Sequence, residues 1–335
     1  MKFGKGKEAV IKRIEGQSWL AVLLGVIMLA VLLGVLEPVF LSFTNLKNIL
    51  VQSSVTAIIA VGMTFVIMTN GIDISVAMNM FLIMSFMHLM QQAGLPVGII
   101  FPAAVLLGAG VGIINGFLIC ILNIVPMIAT FATMSICRGI AYLLIHSKMV
   151  VPDTSLRFFG LTNVGGIPLA VILMLGAVVL GTYLLEFTRF GRYVLAVGNS
   201  VTSAKESGIA VHRVRFGTYA FCGLCTGVAS LIYLGRLGAI QTDAGYGMEF
   251  TVITAVVLGG TKLSGGRGTV IGGFVGCIFL TLIENGLNLL EVSGFYYDVV
   301  RGVILFIAVA IETVSDRRQK KKLAFQRAKR LKGEA

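Results

Sequence analysis

Cys222-Gly-Leu-Cys225 has the C-x-x-C spacing of a thiol–disulfide or metal-binding pair, and it is one of the few strings here with residue types suited to chemistry. Its flanks argue against that use. Tyr219-Ala-Phe221 and Thr226-Gly-Val228 read as helix interior in lipid, where cysteine packs as a small hydrophobe. Cys120, Cys137 and Cys277 also fall inside apolar runs. The three histidines, His88, His146 and His212, have no metal spacing. No nucleophile–base pair is visible either, so an enzyme embedded in the membrane finds no machinery in this chain. Three ionisable residues, Arg138, Glu284 and Arg301, lie within apolar runs. Proton- or sodium-coupled transporters carry such groups at membrane depth. Three without an obvious relay make a thin case for a self-sufficient secondary transporter, which stands as the alternative reading.

The elements that must position these residues are membrane helices. The 335 residues are 57% hydrophobic and only 13% charged, about half the charge of an ordinary soluble domain. Apolar runs of about 20 residues span a bilayer. They fall at 19–40, 49–69, 74–91, 97–120, 124–146, 166–186, 214–235, 249–261, 269–290 and 296–314. The expected fold is therefore an all-α, polytopic integral membrane protein with about ten transmembrane helices. The eighth run is too short for a full span, so it reads as broken or re-entrant, which is tolerated only where protein or a cavity covers the backbone. The basic start followed by Trp19–Leu36 resembles a secretory signal. However, Glu37-Pro38 ends the run without a small-residue cleavage site, which makes it a retained first helix.

Between Phe187 and Phe216 the chain departs from this rhythm. Arg189, Arg192, Lys205, Arg213 and Arg215 stand in that insert against a single acid, Glu206. With ten spans and the insert inside, 21 cations lie on the cytoplasmic side. Four, Lys47, Lys148, Arg157 and Arg236, lie outside. Loop Lys and Arg set orientation in this way. The chain then divides into a cytoplasmic basic N-terminus 1–18, a transmembrane domain 19–314 with a cytoplasmic loop at 187–215, and a cytoplasmic basic tail 315–335. The loop is large enough to dock a soluble partner. The net charge of +12 reads as anchoring near anionic lipid, not as the basic stripe of a nucleic-acid binder.

Within the spans, glycine clusters at Gly108, Gly110, Gly112 and Gly116 and at Gly272, Gly273 and Gly276, which suits close helix packing. Asn70, Asn79, Asn115 and Asn285 are amides in or beside apolar runs, expected to face the bundle interior, either linking helices or lining a path for a polar solute. Asp73 sits between the second and third spans, placed to cap the following helix or to serve that path. Glu284 lies about six residues before the outer end of the ninth span, and Arg301 about five residues into the tenth. At 1.5 Å per residue both are roughly 8–9 Å deep, so they are expected to pair across the hairpin.

Gly259-Gly-Thr-Lys-Leu-Ser-Gly-Gly-Arg-Gly-Thr-Val-Ile-Gly-Gly273 is the most distinctive string. Its Leu263-Ser-Gly-Gly-Arg267 looks like an ATPase signature, but no G-x-x-x-x-G-K-[ST] phosphate loop accompanies it. With TNGIDISVAMNM, GIINGFLICILNIVPMIATFATMSICRGIAYLL and GNSVTSAKESGIAVHRVRF, it makes four strings in series between about residues 45 and 312. Together they resemble the permease subunits of bacterial ABC importers for monosaccharides of the ribose, xylose, arabinose and galactoside type. Two positions depart from that pattern: Asn70 stands where a glycine is usual, and so does Ala77.

The resemblance implies a translocation subunit working by alternating access in the bacterial inner (cytoplasmic) membrane, not an enzyme, with no cofactor of its own. ATP would be bound by a cytoplasmic ABC ATPase partner. A periplasmic or lipid-anchored sugar-binding protein would deliver cargo, and a second copy or a paralogue would complete the pore. Gly198, Asn199, Val201, Ala204, Glu206 and Gly208 match the segment that couples to the ATPase. Ser203 replaces a usual alanine there.

Overall fold

The computed structural model describes residues 19–331, with side chains described as far as Val314. The basic N-terminus 1–18 and the side chains of the tail lie outside the described residues. The elements are α1 (Trp19–Leu36), α2 (Phe43–Met68), α3 (Val76–Gln92), α4 (Val97–Cys120), α5 (Pro126–Leu144), a short α6 (Phe158–Leu161) and α7 (Leu169–Phe187). Two surface helices follow, α8 (Arg189–Asn199) and α9 (Val201–Glu206), then α10 (Val211–Leu237), α11 (Met248–Leu258), α12 (Val270–Leu289) and α13 (Phe295–Leu331). The described residues are otherwise loops, short single turns and one two-residue hairpin, Asn163–Val164 with Ile167–Pro168. The all-α polytopic reading is therefore correct. Seven helices, α1, α2, α4, α5, α7, α10 and α12, are long and apolar enough to cross a membrane. The other expected spans coincide with α3, α11 and the first part of α13.

Local chemistry sets the boundaries. Ser42, Thr188, Ser200 and Thr269 cap α2, α8, α9 and α12 by accepting hydrogen bonds from backbone amides three residues on, the usual work of Ser and Thr at an N-cap. Pro126 opens α5, where its missing N–H has no helical partner to lose. α10 ends on Gly238 in the left-handed region, φ 68°.

α2 is the most enclosed long helix, its most apolar stretch 78% buried. Against it packs α10, which packs in turn on α4. A Cβ on Gly108 would sit 2.5 Å from the Gly223 carbonyl oxygen, and one on Gly112 only 2.3 Å from that of Tyr219. Small residues on both helices thus let the two backbones touch, which is how helices gain contact in lipid. Gly110, on another face, meets nothing within 4 Å. Cys222 and Cys225 are buried free thiols. Cys222 lies under Gly62 of α2, where a Cβ would come within 2.6 Å of its Cα, so the C-x-x-C pair serves packing.

The loop carrying residues 187–210, the α2–α3 break and the turn 259–268 gather at one end, here called the basic end. The segments 145–168 and the α10 terminus gather at the opposite end, where Gly160 and Gly235 abut. Between α10 and α12 the chain returns to the basic end as a non-helical leg, 238–247, followed by the 11-residue α11. The eighth span is thus broken, not re-entrant. The leg's polar groups are met by protein, as bilayer depth requires. Ile240 pairs with Val150, the Tyr142 hydroxyl donates to the Thr242 carbonyl at 2.9 Å, and the Gly245 N–H donates to the Tyr233 hydroxyl at 3.2 Å.

Candidate functional site

At the basic end three distant segments meet. The Gly266 N–H donates to the Met68 carbonyl at 3.0 Å, joining the turn 259–268 to the last residue of α2. Gly198, near the end of α8, lies against both: a Cβ there would be 1.9 Å from the Met68 oxygen and 2.4 Å from the Gly266 nitrogen. From this knot α9 projects. Ala204 is buried and Val201 half-buried on its inner face, while Asn199, Glu206 and Gly208 are exposed. Gly208 turns at φ 78° with nothing near it. The six residues singled out for coupling therefore divide into those that seat the segment and those that present it.

The five candidate path residues take different places, and none lines the polar cavity between α2, α10 and α12. Asn70 is exposed, at φ 61°, and closes α2 in the left-handed region that only glycine and asparagine enter readily. That accounts for asparagine where the resemblance has glycine, and it corrects the expectation that Asn70 faces the bundle interior. Asp73 is 2% exposed. Its Oδ1 accepts from the Ser75 N–H at 2.9 Å and the Ser75 hydroxyl at 2.6 Å. Asn115 donates to the Ser75 hydroxyl at 2.8 Å and to Asp73 at 3.3 Å. This buried cluster fixes the start of α3 against α4. Asn79 donates weakly to the Gly108 carbonyl, at 3.4 Å, and its Oδ1 is unpartnered. Asn285 exchanges two 2.9 Å hydrogen bonds with Asn45, linking α12 to α2.

Glu284 and Arg301 stand on the walls of one cavity, but they are not the direct pair expected from their depths. Arg301 pairs with Asp298, one turn earlier on its own helix, and donates to the Gly247 carbonyl. Glu284 accepts from Gln52 at 3.2 Å. The reason is the leg: its buried carbonyl competes for the guanidinium at a distance the hairpin partner does not match.

That cavity, about 230 Å³, lies toward the opposite end between α2, α10, the leg, α11, α12 and α13. Gln52, Tyr233, Arg236 and Arg301 offer donors, and Asp243 and Glu284 offer acceptors. The α11 N-terminus, at Met248, opens onto it, adding the partial positive charge of a helix start. Val55, Ala244 and Met248 are its few apolar contributors. Such a wall suits a neutral polyhydroxylated solute, because each hydroxyl both donates and accepts. Gln52, Thr56, Tyr233, Arg236 and Asp243 were not singled out from the sequence. The signal for them was the polar, glycine-bearing Gln241–Gly247 just before the short eighth run.

A family described as branched-chain amino acid transport system / permease component matches residues 45–309. A ribose import permease protein of Escherichia coli (strain K12) is 36% identical over 310 residues, covering 90% of this chain and 96% of the relative. One of Bacillus subtilis (strain 168) is 38% identical over 297 residues, covering 86% and 91%. A galactose/methyl galactoside import permease protein of Escherichia coli (strain K12) is 33% identical over 317 residues, covering 88% and 94%. No solved structure matches the chain.

Proposed function

The chain belongs to the family of branched-chain amino acid transport system permease components, and from that premise we propose that it is the membrane translocation subunit of an ATP-driven importer for a monosaccharide. The family description and the relatives' names point to different cargo, an amino acid and a sugar. The observation that decides between them is the lining of the cavity. A branched aliphatic side chain needs an apolar pocket, and burying the donors and acceptors of Gln52, Arg236, Asp243 and Glu284 against it would strand them. A sugar satisfies them.

In this reading the basic end faces the cytoplasm of a bacterial cell, with both termini on that side of the inner membrane. The α9 segment, seated by Gly198, Val201 and Ala204 and presented by Asn199, Glu206 and Gly208, docks on an ABC ATPase that binds the ATP. A periplasmic or lipid-anchored binding protein delivers the sugar to the opposite end, and a second copy or a paralogue completes the pore. Asp73 and Asn115 act on the path by holding the α2–α3 break in place, and Asn79 by its contact from α3 to the Gly108 carbonyl of α4.

The test is reconstitution of the chain with its ATPase and binding protein in proteoliposomes. ATP hydrolysis and uptake should be stimulated by binding protein loaded with ribose or galactose, and not by leucine. Stimulation by leucine alone would refute the sugar assignment. Uptake driven by a proton or sodium gradient without ATP would favour the secondary transporter.

A further inference from the structure

Arg138 has no role in anything described so far, and its position needs an explanation. It lies on α5, six residues before Leu144 at the opposite end, so about 9 Å below that end. Its side chain is exposed. Arginines at membrane depth almost always face the bundle interior or a water-filled space, because a charge in lipid is costly. Arg138 does not face the interior. Along the same face Ser135 and Gly139 are also exposed, and a Cβ on Gly139 would meet nothing within 4 Å. The same side also carries Ile128 and Phe131, 63% and 57% exposed, so the arginine stands out on an otherwise largely apolar face and its reason must lie in what it touches.

The guanidinium is also held in place. It donates to the Tyr142 hydroxyl at 3.2 Å and lies 5.4 Å from the centre of that ring. It lies 5.9 Å from the ring of Tyr246. Tyr142 is in turn fixed to the leg through Thr242. Tyr246 lines the cavity while 69% exposed. Arg138 and Tyr246 thus meet at the cavity mouth.

We propose that Arg138 and Tyr246 form a sugar-contacting site at the mouth of the cavity, the guanidinium donating to vicinal hydroxyls of a neutral monosaccharide and the tyrosine ring receiving its apolar face. This rests on the reading that a monosaccharide passes through the cavity. The planar fork of arginine, unlike the point charge of lysine, can donate to two adjacent oxygens while remaining stacked on a ring.

The experiment uses the complete importer in proteoliposomes, with ribose and galactose as probes and the amount of assembled complex measured alongside. Arg138→Gln, Arg138→Lys and Tyr246→Ala should each lower uptake per assembled complex. Arg138→Gln should lose about tenfold, as expected for one charge-assisted hydrogen bond, and lysine should not restore it. In parallel, Arg138→Cys should react with a charged, membrane-impermeant thiol reagent. The background is low because the five native cysteines are buried. Val179→Cys, on an apolar face of α7 and 69% exposed, should not react. Wild-type uptake in both Arg138 variants, or an inert Arg138→Cys, would mean that the arginine merely extends toward the lipid headgroups and would overturn the inference alone. A wild-type importer that carries neither sugar would overturn the reading beneath it and the inference together.

Discussion

Substituting Gly198 by alanine tests whether the knot at the basic end is as tight as its geometry says. The added methyl would fall 1.9 Å from the Met68 oxygen, 2.4 Å from the Gly266 nitrogen and 2.9 Å from the Gly266 Cα. All three are backbone atoms, so no side chain can swing away. Either α8 lifts off α2, or the Gly266–Met68 hydrogen bond opens. Losing that bond with its groups unmet costs about 1–3 kcal/mol, and overpacking adds about 1–3 kcal/mol. The expected destabilisation is therefore about 2–6 kcal/mol. Two other glycines calibrate it. Gly208→Ala meets no atoms but must hold φ 78°, a strain of about 1–2 kcal/mol. Gly110→Ala, in a helix with open space beside it, should be neutral or gain up to about 1 kcal/mol. The assay is the temperature at which detergent-solubilised protein loses its monodisperse peak in size-exclusion chromatography. The midpoints should rank Gly110→Ala highest, Gly208→Ala next and Gly198→Ala lowest. A Gly198→Ala midpoint at or above that of Gly208→Ala would refute the reasoning.

Replacing Asn285 alone by leucine should shift the same midpoint little, because reciprocal side-chain bonds between membrane helices average about 0.6 kcal/mol and the Asn45 amide still donates to the Phe40 carbonyl at 2.9 Å. Replacing Asn45 as well should cost more, since it also strands that buried carbonyl. Exchanging the charges of Glu284 and Arg301 should not recover the folded yield lost on neutralising Arg301, because Asp298 and the Gly247 carbonyl are the arginine's direct partners; a full recovery in membrane-fraction immunoblots would count against that assignment. Asp73→Ala should lower folded yield through the stranded Ser75 and Asn115 donors, an effect of about 1–3 kcal/mol. Glu206→Lys, exposed on α9, should leave the melting midpoint within about 0.5 kcal/mol of wild type while reducing substrate-stimulated ATP hydrolysis in the assembled importer.

The span pattern was legible because membrane helices announce themselves by length and hydropathy. Even the failure of the eighth run to reach full length pointed to a real break at Gly247–Met248. What the sequence hid were contacts between residues far apart. Asn45 lies in no expected span, so the partner of Asn285 was invisible. Arg301 looked free to pair with Glu284 because nothing in the sequence says that the Gly247 carbonyl is buried beside it. The cavity was missed for the same reason: Gln52, Arg236 and Asp243 are unremarkable singly and become a site only when α2, α10 and the leg converge. Asn70 was read as an interior amide, yet it is chosen for its backbone, which hydropathy does not encode.

α2 carries one further consequence. Gln52 on this helix stands at the solute cavity, and Met68, its last residue, is tied into the knot with Gly198 and Gly266. Sixteen residues of unbroken helix separate them, a rod of about 24 Å. A rod of that length, pivoted near its basic end, turns a tilt of about 10° into a displacement of about 4 Å at Gln52. In the proposed importer, motion of a docked ATPase would need no relay of small rearrangements to reach the sugar. It can be delivered as the swing of a single lever, whose fulcrum is the glycine contact that alanine at 198 would jam.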